Sequence, residues 1–388
     1  MPATTESDTM PQTEARFSAL DRSQLIALNA GELSRAAICR LARSSGHWWR
    51  SARTPATAEA TACGVARAEL AAARSALEGA DGFVAHELRL AEDRAIDIIT
   101  LADSHYPPPL LELELPPPVL YIRGSLPPQP AVSIVGARRA TGYGLDAAGA
   151  LATGLAERGL TIVSGFARGI DAAAHRAATR VRGGGTVAVL GCGLDVDYPR
   201  GRDRMREEIS VAGALVSEFP FGTAPLRQNF PVRNRIIAAL GHGTLVVEAT
   251  ARSGSLITAR LALELGRDVY AVPGRIFDDK AVGPNALIRD GAFLVQHPRD
   301  ILETLPQQVC QQLIPEPDAS AVEQQPKLPA DQQTVLRLLP AGQRRSTDSL
   351  VRDSGLEVER VAAALLELEL AGWVRRHPGP AYARAEIW

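Results

Sequence analysis

A chain of 388 residues is too long for one ordinary hydrophobic core, so two or three domains are expected. Its 46% hydrophobic and 22% charged residues are those of a soluble globular protein, and a formal net charge of -2 excludes a basic polyelectrolyte, so any polyanion must meet a local patch.

The polar start, residues 1–17, lacks an apolar signal core and reads as a disordered tail. Residues 18–95 read as a small all-helical, SAM-like domain, because apolar positions recur at three and four in SALDRSQLIALNAGELSRAAICRLARSSGHWW and ARAELAAARSALEGA. Prolines then crowd around the extended piece VLYIRGSL. From Ala131, continuous apolar runs (AVSIVG, GLTIVSG, GTVAVLG, GALVSEF, TLVVEA, RDVYAVPG, FLVQH) alternate with helical stretches. Continuous runs are expected of parallel strands covered on both faces, which makes residues 96–310 an α/β domain with a doubly wound, extended Rossmann-like sheet. Residues 311–329, rich in proline and glutamine, read as a linker. Residues 330–388 run helix, helix, helix, hairpin, the order of a winged helix. No apolar run reaches the roughly 20 residues needed to span a bilayer. The cysteines, Cys39, Cys63, Cys192 and Cys310, form no metal-ligand spacing, so a reduced cytoplasmic protein without metal or cofactor is expected.

In an open parallel sheet, ligands bind outside the carboxyl ends of the strands. The segments there are GARRATG (Gly136, Arg138), SGFARGID (Ser164, Gly165, Arg168, Gly169, Asp171) and GCGLD, with NFPVRNR (Phe230, Arg233, Asn234, Arg235) and RSGSLIT (Arg252, Ser253, Gly254, Ser255, Thr258) further along. Glycines let a backbone approach a ligand, and free amides at a helix start attract anions. Asp171 reads as a helix cap or loop brace, and His175, one turn on, as its neighbour. Two arginines in the first turn of a helix oppose its dipole, so an anion is expected beside Arg233 and Arg235, either a ligand or an acid such as Glu218. Four such turns exceed what one small nucleotide needs and suit a phosphate backbone laid along the edge. The Rossmann fingerprint is displaced and its acid is missing, which argues against NAD or FAD. Cys192 reads as a small buried thiol. GHGTLVVE resembles the GxGTxxE signature of phosphoribohydrolases, but Glu248 lies one residue too far along, which turns its side chain to the other face of a strand.

Taken together, VSIVGARRATGYG, SGFARGIDAAAH, TVAVLGCGLDVDYP, SEFPFGTAPLRQNFPVRNRIIAAL, LVVEATARSGSLITARLALELGRDVYAVPG and GPNALIRDGA resemble the DNA-processing protein A (DprA, or Smf) family over about residues 105–300. The resemblance implies a non-catalytic binder of single-stranded DNA, dimeric and cytoplasmic, that protects incoming DNA during natural transformation and helps load RecA recombinase. It implies a phosphate pocket lined by the SGFARGID turn, Arg138, Arg233 and Arg235. Phe230 is the candidate for stacking on a base, and Leu287, Ile288 and Phe293 are candidates for a dimer edge. The chain departs from the family pattern at Ala137, where Ser or Thr is common, and at Pro284, which removes a backbone donor. A phosphoribohydrolase-like nucleotide enzyme and a winged-helix protein adaptor are the alternative readings.

Overall fold

The computed structural model describes residues 20–31, 33–44, 56–315, 328–339, 344–377 and 379–384. The expected tail, 1–17, and residues 316–327 of the expected linker lie outside them. The chain divides into two compact units, Met1–Ile314 and Pro315–Trp388.

The first unit begins with helices α1 (Arg22–Ala30), α2 (Arg35–Arg43), α3 (Ala56–Cys63), α4 (Arg67–Leu77) and α5 (Asp81–Asp93). Asp21 accepts the Gln24 amide while the Gln24 side chain accepts the Asp21 amide, a reciprocal box that fixes the start of α1. Leu25, Ile26, Leu28, Ile38, Leu41 and Leu70 are buried among these helices.

A nine-stranded sheet follows: β1 (Ile96–Thr100), β2 (Val119–Gly124), β3 (Ala131–Val135), β4 (Thr161–Ser164), β5 (Thr186–Val189), β6 (Gly213–Ser217), β7 (Gly243–Val246), β8 (Asp268–Ala271) and β9 (Phe293–Leu294), in the order β1-β2-β6-β5-β4-β3-β7-β8-β9. From β6 to β9 all pairings are parallel. Strands β2 and β1, joined through the short helix α6 (Pro108–Leu111), extend the β6 edge antiparallel. Every residue of β3 to β7 is buried, as continuous apolar runs require.

Alternate residues serve opposite faces. Val132, Ile134, Ile162 and Leu245 pack with α7 (Gly142–Glu157) and α8 (Ile170–Ala178). Val135, Val163, Val187 and Val246 belong to the other core, with α9 (Asp203–Ala212), α10 (Asn229–Leu240) and α11 (Gly254–Glu264). Strand β1 was not among the sequence's β runs. It is tied to the helices by Arg22, whose Nη2 donates to the Ile98 carbonyl at 2.7 Å. Tyr121 of β2 adds a second tie, donating to Glu87 of α5 at 2.6 Å. Order also runs past the expected start of the linker at 311, since the Ile314 amide donates to the Arg158 carbonyl at 3.0 Å.

The second unit has helices α15 (Ala330–Arg337), α16 (Thr347–Ser354) and α17 (Val358–Leu370), and strands β10 (Arg344–Ser346), β11 (Val374–His377) and β12 (Ala381–Arg384) paired as β10-β12-β11. Between β8 and this unit the chain forms α12 (Val282–Arg289), α13 (Pro298–Leu302) and α14 (Gln307–Cys310). Gly355, at φ 68°, ends α16 in the left-handed conformation that glycine adopts without strain. Val335, Leu350, Val361, Leu365 and Val374 form the core. The expected order of helices and hairpin is present, with β10 as a third strand that the sequence did not reveal.

Candidate nucleic-acid interface

The loops after β3 and β4 are locked together. Gly169, at φ 77°, closes the SGFARGID turn, and a Cβ there would lie 2.2 Å from the Ala137 carbonyl oxygen. The next amide, Ile170, donates to that same carbonyl at 3.2 Å. Gly136 serves this docking too, because a Cβ on it would meet Ile170 Cγ1 at 2.6 Å. The glycines at 136, 165 and 169 therefore bring protein against protein, whereas the sequence pointed to a ligand. Gly254 differs: no atom lies within 4 Å of where its Cβ would stand.

Asp171 is the loop brace expected of it. It is buried and accepts the Ala167 amide at 3.2 Å. Burial raises its pKa, opposed by the Arg233 guanidinium. His175 lies deeper, its Nδ1 2.8 Å from the Thr186 hydroxyl. That hydroxyl donates to the Ile162 carbonyl at 2.7 Å, so Nδ1 is the donor to Thr186. Burial, reinforced by Arg202 and Arg233, pushes its pKa down to about 3.

Arg233 is only 4% exposed. Its Nη1 donates to the Gly165 carbonyl at 2.7 Å and also to the Val189 carbonyl, joining α10 to the ends of β4 and β5. Its Nε donates to Asn234 Oδ1 at 3.2 Å, and Asn234 Nδ2 in turn donates to the Gly254 carbonyl at 3.3 Å. Burial pushes the Arg233 pKa down to about 10. Arg235 is also drawn inward, with its Nη2 2.6 Å from Glu218 Oε2. The same oxygen takes Arg35 Nε of α2 at 2.6 Å. The anion that the first turn of α10 called for at Arg235 is thus the protein's own carboxylate, and Arg233 is satisfied by carbonyls. The buried Arg233 guanidinium stands behind the surface and does not line the phosphate pocket that the sequence led one to expect, while Arg235 lines a different cleft, with Ser34, Leu115 and Leu261.

Other expected contacts are interior as well. Ser164 is fully buried and donates to the Ile134 carbonyl at 2.6 Å. Ser255 and Thr258 are buried, and the Ser255 hydroxyl lies 2.7 Å from that of Ser253, which caps α11. What the edge does present is a row of exposed arginines, Arg138 and Arg139 after β3, Arg168 after β4 and Arg252 after β7. None of these four has a hydrogen bond or ion pair among the described residues. Half-buried Phe230 lies beneath Arg138, whose guanidinium carbon is 5.2 Å from the ring centroid. Cys192 is the buried thiol expected, its pKa raised by desolvation.

The sheet's switch point lies between β3 and β7, where a doubly wound fold receives a nucleotide. Glu248 fills it. Its carboxylate accepts the Thr141 amide at 2.9 Å and also the Thr141 hydroxyl, and a Cβ on Gly144 would stand 2.4 Å from Glu248 Cδ. The helix start that could attract a phosphate already holds an anion. Sequence reasoning missed this role, and it missed Tyr198 and Arg202 of the loop after β5, where DYPRGRDR is dense in arginine. Arg202 donates to the Ala167 carbonyl at 3.2 Å and covers the Phe166 ring. Among the described residues no cluster of His, Cys, Asp and Glu is arranged to hold a metal, and no helix is long and apolar enough to cross a membrane.

The sequence profile of DNA recombination-mediator protein A matches residues 97–306, and that of the DprA winged helix domain matches 315–380. Protein Smf of Escherichia coli is 44% identical over 288 residues, covering 72% of this chain and 75% of its own. The crystal structure of DNA processing protein A from Streptococcus pneumoniae is similar with a TM-score of 0.64 at 33% identity, covering 74% of this chain and 99% of that one. A Helicobacter pylori DNA processing protein A, described for its single-stranded DNA binding mode, covers 54% of this chain and 94% of its own at 29% identity, with a TM-score of 0.48. A match that takes in the whole sheet and runs on into the winged helix makes this chain a member of the DprA/Smf family of DNA recombination mediators.

Proposed function

We propose that the carboxyl edge of the sheet grips the sugar-phosphate chain of single-stranded DNA, and that the protein acts as a non-catalytic, cytoplasmic mediator that protects the strand and passes it to a RecA-type recombinase in natural transformation. The observation that carries this reading is the row of Arg138, Arg139, Arg168 and Arg252, exposed and without protein acids, on successive loops of one edge. A line of unpaired cations suits a line of phosphates. Asp171, Arg233 and Asn234 then act behind the surface by holding the loops, and the exposed Gly254 lies on it. A nucleotide-hydrolysing enzyme would need a free carboxylate at the strand ends. Glu248 is held by Thr141, which counts against that reading.

The protein is also proposed to pair through β9. This strand is the outer edge of the sheet, bonded on one side only, and Phe293 and Leu294 are 46% and 45% exposed. An apolar unpaired edge calls for a second chain. Leu287 and Ile288 of α12 are half-buried beside it in the chain and are supporting members of the interface.

The test of DNA binding is fluorescence anisotropy of labelled single-stranded and duplex oligonucleotides of equal length across a salt series. Tight, salt-sensitive binding that prefers the single strand is expected. Absence of binding at low salt refutes the reading and favours a smaller ligand at this edge.

A further inference from the structure

We propose that Tyr198, on the loop after β5, is a base-stacking residue of the single-strand site. This inference rests on the DNA-binding reading above and extends it to Tyr198, a residue of the loop after β5 for which no DNA contact was expected.

Three observations converge there. Tyr198 and Phe230 have ring centroids 5.6 Å apart with planes tilted by 47°. Arg138 lies over Phe230, so an exposed cation, an aromatic on α10 and a second aromatic on another loop meet at one point. Tyr198 is half-buried, and its hydroxyl has no hydrogen-bond partner among the described residues. Tyr198 thus presents an apolar ring packed on Phe230 and a polar tip, the combination that suits an aromatic to an interface.

The ring spacing decides how a base would sit. A base between two rings needs about 7 Å, twice the ~3.5 Å of carbon contact. At 5.6 Å the two rings touch each other, so a base stacks on the outer face of Tyr198 while Phe230 supports it from behind. Gly191 keeps Phe230 in place, since a Cβ there would lie 3.1 Å from Phe230 Cδ1.

The charges of the loop are arranged to match. Asp195 accepts the Gly222 amide at 2.9 Å, and Asp197 accepts the Gly201 amide at 3.4 Å. Arg200 is exposed without a partner among the described residues, next to Pro199 and Tyr198. Both acids thus hold backbone, while Arg200 is open to a phosphate flanking the stacked base. Stacking on an aromatic face tolerates any base, which suits a protein that must take any strand.

The experiment measures anisotropy of full-length wild type, Tyr198→Phe and Tyr198→Leu with a labelled oligothymidylate and with an abasic strand of equal length, over a salt series, after thermal melts have established folding. Wild type and Tyr198→Phe are expected to agree within about twofold, and Tyr198→Leu to bind oligothymidylate about tenfold more weakly, as loss of one stacked base implies. Its log-log salt slope is expected to stay that of wild type, and its deficit to vanish on the abasic strand. Equal binding of oligothymidylate by wild type and Tyr198→Leu overturns the proposal. So does an equal loss on both strands, which would make Tyr198 a support for Phe230 and Arg138. If wild type binds neither strand, the DNA-binding reading falls first and this one with it.

Discussion

The Arg233 guanidinium and Gly165 are in such close register that a methyl group on the glycine would stand 2.9 Å from Nη2 and 2.8 Å from Asp171 Oδ2. Gly165→Ala is therefore expected to push the arginine off the Gly165 and Val189 carbonyls and lower stability by about 1–3 kcal/mol. Denaturant unfolding measures this, and an unchanged midpoint would show that the brace yields without cost.

Arg233→Met should be worse, because it leaves the Gly165 and Val189 carbonyls without their donor and removes the positive charge that opposes the burial of Asp171. The expected cost is about 3–5 kcal/mol. Arg138→Ala is expected to leave the melting temperature alone. A melt of both variants tests the division into a buried brace and an exposed DNA-facing residue. Similar melts would put Arg233 among the surface arginines.

Arg138→Ala, Arg168→Ala and Arg252→Ala should each weaken single-strand binding and flatten the log-log salt dependence by about 0.7 for every phosphate that is no longer neutralised. Anisotropy titrations at several salt concentrations report both quantities. A variant that keeps the wild-type slope removes its arginine from the phosphate track.

Glu218 is shared by α2 and α10 through Arg35 and Arg235. Glu218→Ala leaves Arg235 buried and unpaired, at an expected cost of about 3–5 kcal/mol, and loosens α2 from the sheet. Faster limited proteolysis within residues 20–95 is the readout. Wild-type protection would mean that Asn29, donating to the Glu218 carbonyl at 3.0 Å, suffices to hold the helices.

His175 is held neutral in the folded protein, with its pKa pushed down to about 3 from the ordinary 6.5. Between those values the unfolded chain binds a proton that the folded one refuses, so the stability this histidine contributes is lost as pH falls from 6.5 towards 3. The slope is at most about 1.4 kcal/mol per pH unit. Asp171, whose pKa is raised, works in the opposite sense, gaining a proton in the folded state first. Comparing the stability of wild type and His175→Gln at pH 7 and pH 5 isolates the histidine. The gap between them should narrow or reverse at the lower pH, and parallel curves would contradict a buried neutral ring.

The sheet was legible because its seven parallel strands, from the fully buried β3 to β7 out to the edge strand β9, write themselves as continuous apolar runs. Strand β1 was not, since its partner β2 is antiparallel and its IDIIT run follows directly on α5. At the site, position was legible and orientation was not. A sequence places Arg138 and Arg233 alike beside glycines at strand ends. Only the meeting of β4, β5 and α10 turns Arg233 inward to carbonyls and leaves Arg138 in solvent. Glu248 was noticed as one residue out of step with an enzyme signature, but its bond to Thr141 joins positions 107 residues apart, beyond any local pattern.

That bond also bears on competition inside a cell. A free mononucleotide carries the phosphate that an open switch-point crevice and helix start would attract. With a carboxylate built into the start of α7, the crevice repels those anions. On the proposed reading, this leaves the edge to a polymer, whose many weakly held phosphates no single nucleotide can imitate.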